Sequence, residues 1–365
     1  MRSYPVLLLD DTKCRENIRT MAAKARQRNL IFRPHFKTHQ SLAIGEWFRD
    51  AGVNSITVSS VQMAEYFAQG HWNDITVAFP VSYWEVEHIN NLSKRVSVNV
   101  LTPSASSLMK VAALIDKNVG IFIEVDVGHE RSGVNPENTR EVAIMVNLIE
   151  KANLKFKGFL THAGHTYQAK SPDEVLSIHN NAMGKLARLK SFWKESHPNI
   201  LVSYGDTPSC AISDDFWGID EIRPGNFVFF DVMQNHIGSC KPSNIALSVV
   251  CPVVDINRTR GEALVHCGAV HLSKDFLHLP SGEISFGAVC TLSNTVRSAP
   301  IDGLYLKSLS QEHGIIASVT GSFPFEIGDL LAILPIHSCL TVDLMGEMVC
   351  PDGTIIPTMH QRTFH

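Results

Sequence analysis

The sequence predicts an α/β protein, a (β/α)8 TIM-type barrel followed by an all-β C-terminal domain. Two observations carry this. From residue 30 to about 231, eight β-rich apolar runs alternate with helical patterns, as expected of parallel βα units. Eight is the number that closes a barrel of about 250 residues. After about residue 240 the helical period disappears and strand-like runs punctuated by Gly, Pro and Asn take over.

The elements follow in order. "PVLLLD" reads as a strand outside the barrel that is expected to pair with the β domain, and "CRENIRTMAAKARQRN" as the helix leading into the barrel. The eight barrel strands are "LIFRPHFK", "SITVSS", "DITVAFP", "VSVNVL", "GIFIEVDV", "FKGFLTH", "ILVSYGD" and "EIRPGNFVFFD", the first with Ile31 and Phe32 buried. Between them, "SLAIGEWFRDAG", "VQMAEYFAQG" and "EVAIMVNLIEKA" place apolar residues three and four apart, the period of an amphipathic helix. A doubly wound open sheet is the rival, but it usually carries a glycine-rich turn after its first strand. Here "RPHFKTH" stands in that place, without glycine. "ALSVVCPVVDIN", "EALVHCGAVHLS", "GIIASVTGS" and "LLAILPIHSCLTVDL" supply the second domain. The expected organisation is a barrel over residues 10–240 and a β domain over 241–365, joined by the N-terminal strand 1–9.

Composition narrows the function class. Hydrophobic residues make up 44% and charged residues 19%, and the formal net charge of -4 gives no field that gathers nucleic acid or anionic lipid. No apolar run approaches the roughly 20 residues of a membrane span. "MRSYPVLLLDDTK" has no small-residue cleavage site, so a signal peptide is not expected. The eight cysteines are irregularly spaced with no C-x-x-C pair, which fits a reducing, cytoplasmic setting.

Barrel active sites sit at the C-terminal ends of the strands. Lys37 falls there, in a run that also contains Arg33, His35 and His39. A lysine in a cationic, partly desolvated place becomes a nucleophile or base and can form a Schiff base. After strands seven and eight come "GDTPSC" and "RPGN", whose Gly205, Asp206, Thr207, Gly225 and Asn226 offer small or polar side chains and free N–H groups suited to a phosphate. A lysine at strand one and a phosphate site at strands seven and eight suggest pyridoxal 5'-phosphate. In "PIHSCL", read as a strand, His337 and Cys339 point the same way. Together they can grip one ion, and imidazole plus thiolate favours Zn2+, with other divalent cations possible.

Taken together, "RPHFKTH", "DVGHERSGV", "GHTY", "GDTPS", "RPGNFVFFD" and "LPIHSC" resemble the fold-type III pyridoxal-phosphate enzymes, most closely the D-serine dehydratase and D-threonine aldolase group with its alanine racemase-like barrel. The resemblance implies that Lys37 carries the cofactor, that Arg131 reaches its phenolic oxygen, and that Tyr167 approaches its ring nitrogen, with His165 close by. A phenol in place of a cation there weakens the electron sink and favours elimination over racemisation. Phe227 stands where relatives are expected to carry tyrosine. His35, His39 and His162 stay ambiguous. The implied activity is a zinc-dependent lyase that turns a small D-3-hydroxy amino acid into a 2-oxo acid and ammonia, working as a homodimer. The alternatives are a retro-aldol enzyme, then a racemase or a non-catalytic cofactor carrier.

Overall fold

The computed structural model describes residues 4–360. Residues 1–3 of the N-terminal strand and 361–365 of the β domain, as read above, lie outside that range. The chain divides into two compact units. One comprises residues 19–37 and 45–225, and the other residues up to 18, 38–44 and 226 onward.

The first unit is built on eight parallel strands: β1 Ile31–Phe32, β2 Ile56–Val58, β3 Asp74–Pro80, β4 Ser97–Thr102, β5 Gly120–Glu124, β6 Lys155–Thr161, β7 Leu201–Tyr204 and β8 Glu221–Ile222. They run in the order β1-β8-β7-β6-β5-β4-β3-β2. The ring closes through a parallel bridge from His35 to Thr57. There the Phe36 N–H donates to Thr57 O (2.8 Å) and the Thr57 N–H to Pro34 O (2.9 Å). β1 and β8 are only two residues long, much shorter than their sequence runs. Each is followed two residues on by a proline, Pro34 and Pro224, and proline removes a ladder donor. Ile31 is 42% exposed, contrary to the buried strand expected, because so short a strand has little sheet to cover it.

Local signals set the helices between the strands. Ser60, Ser104, Asn138 and Ser171 each cap a helix by accepting from the N–H three residues on. Such caps contribute about 1 kcal/mol each. Phe36 is fully buried, with ring centroids 4.9 Å from Phe48, 4.9 Å from Phe67 and 5.0 Å from Trp72. This aromatic cluster pins the residue just before Lys37. Below it, Arg33 donates to buried Glu221 (2.6 Å) and to Asp74 (2.8 and 3.0 Å).

In the second unit, six antiparallel strands form a closed ring. Their order is Glu262–His266, His313–Ser318, Leu304–Leu309, Gly287–Ser293, Leu330–Pro335 and Leu247–Asn257, and the last pairs again with the first. Val6–Leu9 joins antiparallel to Leu247–Asn257, with Val6 opposite Val250, and parallel to Glu347–Val349. Short helices Val232–Ile237, Ala269–Leu272 and Ser338–Met345 decorate the ring. No helix among the described residues is long and apolar enough to cross a membrane.

Candidate active site

The cation-rich run that ends the first barrel strand is sorted by its surroundings. Arg33 is spent inside the barrel, as described above. His35 accepts the Lys37 N–H through Nδ1 (3.4 Å). His39 is fully buried and accepts the Ser41 N–H (3.1 Å). Burial holds that ring down to about 3, so it is neutral at any ordinary pH. Lys37 is the exposed member, and no side-chain partner is recorded for it among the described residues.

The loop after β5 is shaped by one carboxylate. Asp126 Oδ1 accepts the N–H groups of Gly128 (2.9 Å), His129 (2.8 Å) and Glu130 (3.1 Å), and Oδ2 accepts Glu130 again (3.0 Å). It thereby holds Glu130 at a left-handed φ of 57°. The next residue is Arg131, exposed and, like Lys37, in no recorded ion pair among the described residues. Asp126 is therefore used up by the loop and does not neutralise the arginine.

His162 ends β6 in the same mouth. Its Nδ1–H donates to Gly205 O (2.6 Å). Burial holds the ring down to about 3; the bond to Gly205 opposes this, and the positive charges of Lys37, Arg131 and Arg223 reinforce it. Two cations that make no ion pair among the described residues thus share a field with a neutral imidazole whose Nε2 lone pair is free of a proton. The sequence left His162 ambiguous, although its place at a strand end was a readable signal. His129 stands across from it, 5.8 Å away and perpendicular, and is stacked on His165 at 6.2 Å. Burial, first of all, lowers both of those rings as well.

Asp206 caps helix Thr207–Ile212. Its Oδ1 accepts from Ser209 N (2.7 Å) and Thr166 Oγ1 (2.9 Å), leaving Oδ2 buried without a partner. The Thr207 hydroxyl is also buried and unpartnered. An orphan hydroxyl two residues after Gly205, whose carbonyl binds the His162 ring that feels Lys37 and Arg131, fits an anionic group, and so fits a phosphorylated cofactor. Gly205 is demanded by packing, since a Cβ there would lie 2.8 Å from the Arg223 backbone. The Tyr167 hydroxyl accepts the Thr207 N–H (3.4 Å), so the phenol lies at the loop assigned to phosphate. Arg223, missed as a candidate in "RPGN", is buried and donates to Ser203 Oγ (2.6 Å) and to Thr161 O. Burial lowers its pKa to about 10. Gly225 is half-buried, and Phe227 is buried in the turn Asn226–Val228.

The second unit carries the other half of the candidate residues. His337 and Cys339 are not on a strand. Leu330–Pro335 ends first, His337 is the N-cap of helix Ser338–Met345, and Cys339 lies in its first turn. The buried Asp231 carboxylate causes this turn by accepting the Ser338 N–H (3.0 Å) and hydroxyl (3.3 Å). The strand argument was therefore wrong about the route, but the helix entry also brings the two side chains close enough for Cys339 to raise the His337 pKa. Burial would lower the His337 pKa, yet Cys339, Asp275 and Asp231 raise it to about 11. A ring so surrounded by negative groups suits a cation. Asn226 is drawn into this half: its amide donates to Asp231 (2.6 Å), to Ser338 (3.1 Å) and to Cys339 Sγ (3.7 Å).

A third cluster, His266, His271 and Glu312, brings its donor atoms within 4.8 Å of one another. Its hydrogen bonds argue against a metal. The Gly268 N–H donates to His271 Nδ1 (3.0 Å), which puts that ring's proton on Nε2, the nitrogen facing Glu312 (3.6 Å).

Comparison with known proteins agrees with this picture. Residues 9–232 match the alanine racemase N-terminal domain, and residues 246–350 match a putative serine dehydratase domain. The chain is 28% identical over 350 residues to D-threo-3-hydroxyaspartate dehydratase of Delftia sp., covering 92% of this chain and 91% of that one. It is 28% identical over 380 residues to D-serine dehydratase of Dictyostelium discoideum, covering 94% and 92%. It is 23% identical over 363 residues to D-threonine aldolase of Arthrobacter sp., covering 96% and 90%. The solved Delftia dehydratase superposes with a TM-score of 0.90 at 25% identity, over 100% of this chain and 99% of that one. Variants of that enzyme replace a histidine and a cysteine two positions apart, and the cysteine variant is a metal-free form. The chain belongs to the fold-type III pyridoxal-phosphate enzymes, with an alanine racemase-type N-terminal domain followed by a serine dehydratase domain.

Proposed function

We propose that the chain is a D-serine dehydratase-like lyase that converts a D-3-hydroxy amino acid to a 2-oxo acid and ammonia. The observation that carries this over racemisation is the His337–Cys339 pair, a donor set a racemase does not need. Lys37 would hold pyridoxal phosphate, Arg131 would face its phenolic oxygen, and Gly205, Thr207 and Gly225 would serve its phosphate. His337 and Cys339 hold a divalent metal, and nitrogen with sulfur selects zinc. When bound, the cofactor supplies an electron sink for electrons released at Cα, and the metal supplies Lewis acidity to a hydroxyl.

The chain's own groups do the rest. Lys37 Nζ removes the Cα proton. Arg131, in no ion pair among the described residues, offers its charge to the anionic ligand. His162 stays neutral, donating at Nδ1 to Gly205 and presenting a bare Nε2. Tyr167 and His165 line the ring. Arg223 supports the preference for elimination because two of its donor groups are spent on Ser203 and Thr161, which turns that cation away from strengthening the electron sink.

Two finer assignments complete the reading. Phe79, Tyr83 and Trp84 are 60%, 55% and 85% exposed, and a second copy of the chain covers such a surface in a homodimer. The eight free cysteines suit the cytoplasm. The test is ammonia and 2-oxo acid release from D-serine before and after chelation, with zinc restored. Release that survives complete metal removal refutes the metal assignment, and no release from any D-3-hydroxy amino acid refutes the lyase.

A further inference from the structure

We infer that Asp275 is a positioning residue for the metal centre: it fixes His337 as an Nε2 donor and so sets the centre's affinity for zinc. This rests on the metal reading of His337 and Cys339 above. Asp275 Oδ2 lies 2.8 Å from His337 Nδ1. A carboxylate oxygen can only accept at that contact, so Nδ1 keeps its proton and Nε2 is the nitrogen that yields its own to a metal. A metal-ligating imidazole requires that tautomer, and carboxylates on the far nitrogen orient the ring and raise its basicity.

The anchoring of Asp275 points the same way. Its segment follows helix Ala269–Leu272, and the Leu272 carbonyl accepts from the Thr341 hydroxyl (3.4 Å) of the helix that carries Cys339. Ser273 takes a left-handed φ of 71°, and its hydroxyl accepts the Asp275 N–H (3.2 Å). Carboxylate, imidazole and thiol thus hang on one small scaffold. On the thiol side, Asn226, held by Asp231, donates to Sγ, and Cys339 contacts the Thr38 hydroxyl (3.4 Å). Among the described residues no third His, Cys, Asp or Glu joins His337 and Cys339 in a cluster of ligand atoms within 4.8 Å. Asp275 therefore acts from behind the ring, not as a third ligand.

The contrast with His271 sharpens the argument. That ring accepts at Nδ1 and so presents a protonated nitrogen. The two histidines sit in one unit with their Nδ1 atoms in opposite roles, accepting in His271 and donating in His337, and only His337 leaves Nε2 for a cation.

The experiment measures zinc affinity of the metal-free, cofactor-loaded protein by competition with a chromophoric chelator, alongside the His337 tautomer from 15N chemical shifts of the zinc-loaded protein. Asp275→Ala should weaken zinc binding about 10- to 100-fold. Asp275→Asn should weaken it less, because an amide oxygen still accepts from Nδ1–H, and Asp275→Glu should restore part of the loss. The visible cofactor spectrum and the thermal midpoint of the metal-free protein should be unchanged. Wild-type zinc affinity in Asp275→Ala, or an unchanged tautomer there, overturns the inference while leaving the metal site standing. A wild-type protein that binds no zinc, or a His337→Ala variant that binds it equally well, overturns the metal reading and the inference together.

Discussion

Asp126→Ala is the perturbation whose consequence follows most directly from the barrel mouth. The carboxylate holds three N–H groups at 2.8–3.1 Å and keeps Glu130 left-handed, one residue before Arg131. A hydrogen bond to a charged group contributes about 1.5–3 kcal/mol. Gly128 and Glu130 are exposed, so water replaces much of that, and about 2–3 kcal/mol for the set is a reasonable total. Without the carboxylate, the strain at Glu130, on the order of 1 kcal/mol, is no longer compensated, and Arg131 must be ordered at the expense of ligand binding. About 3 kcal/mol corresponds to roughly two decades in affinity. The expected result is a 10- to 100-fold weaker pyridoxal phosphate complex in Asp126→Ala and about a fivefold loss in Asp126→Asn, which keeps one acceptor oxygen. The assay is cofactor titration of the apoprotein, followed by absorbance, in a double-mutant cycle with Arg131→Ala. If Asp126 acts through Arg131, the second substitution adds little to the first. Affinity within twofold of wild type in Asp126→Ala, or full additivity with Arg131→Ala, refutes the reasoning.

Three further outcomes are expected. Cys339→Asp keeps two ligands but hardens the donor set, so metal preference should move from zinc toward manganese or magnesium in competitive loading. His39 is buried and held down to about 3 against an ordinary 6.5, so the unfolded chain takes up a proton between those values that the folded chain refuses. Its contribution to stability is therefore complete above about pH 6.5 and is lost as pH falls toward 3, at about 1.4 kcal/mol per pH unit. Urea unfolding from pH 6 to 4.5 should show a slope one proton shallower in His39→Asn. Finally, D-alanine, which has no leaving group, should not be racemised; rapid formation of L-alanine without a metal would turn the assignment toward a racemase.

The barrel was legible because its signals are local: alternating apolar runs, capped helices and a lysine at a strand end. The lengths of β1 and β8 were not, because Pro34 and Pro224 cut hydrogen-bonded ladders whose residues still look strand-like. His337 and Cys339 were singled out through their residue types and the resemblance to relatives, while their local geometry was misread. Nothing within "PIHSCL" announces that Asp231, over a hundred residues away, will turn Ser338 into a helix. The same distance hid Asp275, which lies 62 residues from His337, and the diversion of Asn226 toward Cys339. His162 could have been promoted by the strand-end rule alone. Its neutrality could not, since that depends on burial and on Lys37, Arg131 and Arg223 gathering around it.

The central claim is elimination carried by Lys37 in a fold-type III enzyme, and product analysis on one substrate tests it most directly. D-threo-3-hydroxyaspartate can lose water to yield oxaloacetate and ammonia, or break its Cα–Cβ bond to yield glycine and glyoxylate. Both pairs are to be quantified from the same reaction of the zinc- and cofactor-loaded protein, with Lys37→Ala as control and D-serine run in parallel. The expected result is 2-oxo acid and ammonia in equal amounts from whichever of the two substrates turns over, no glycine, and no turnover in Lys37→Ala. Glycine and glyoxylate in equal amounts, with little ammonia, would contradict the dehydratase assignment and leave a retro-aldol enzyme in its place.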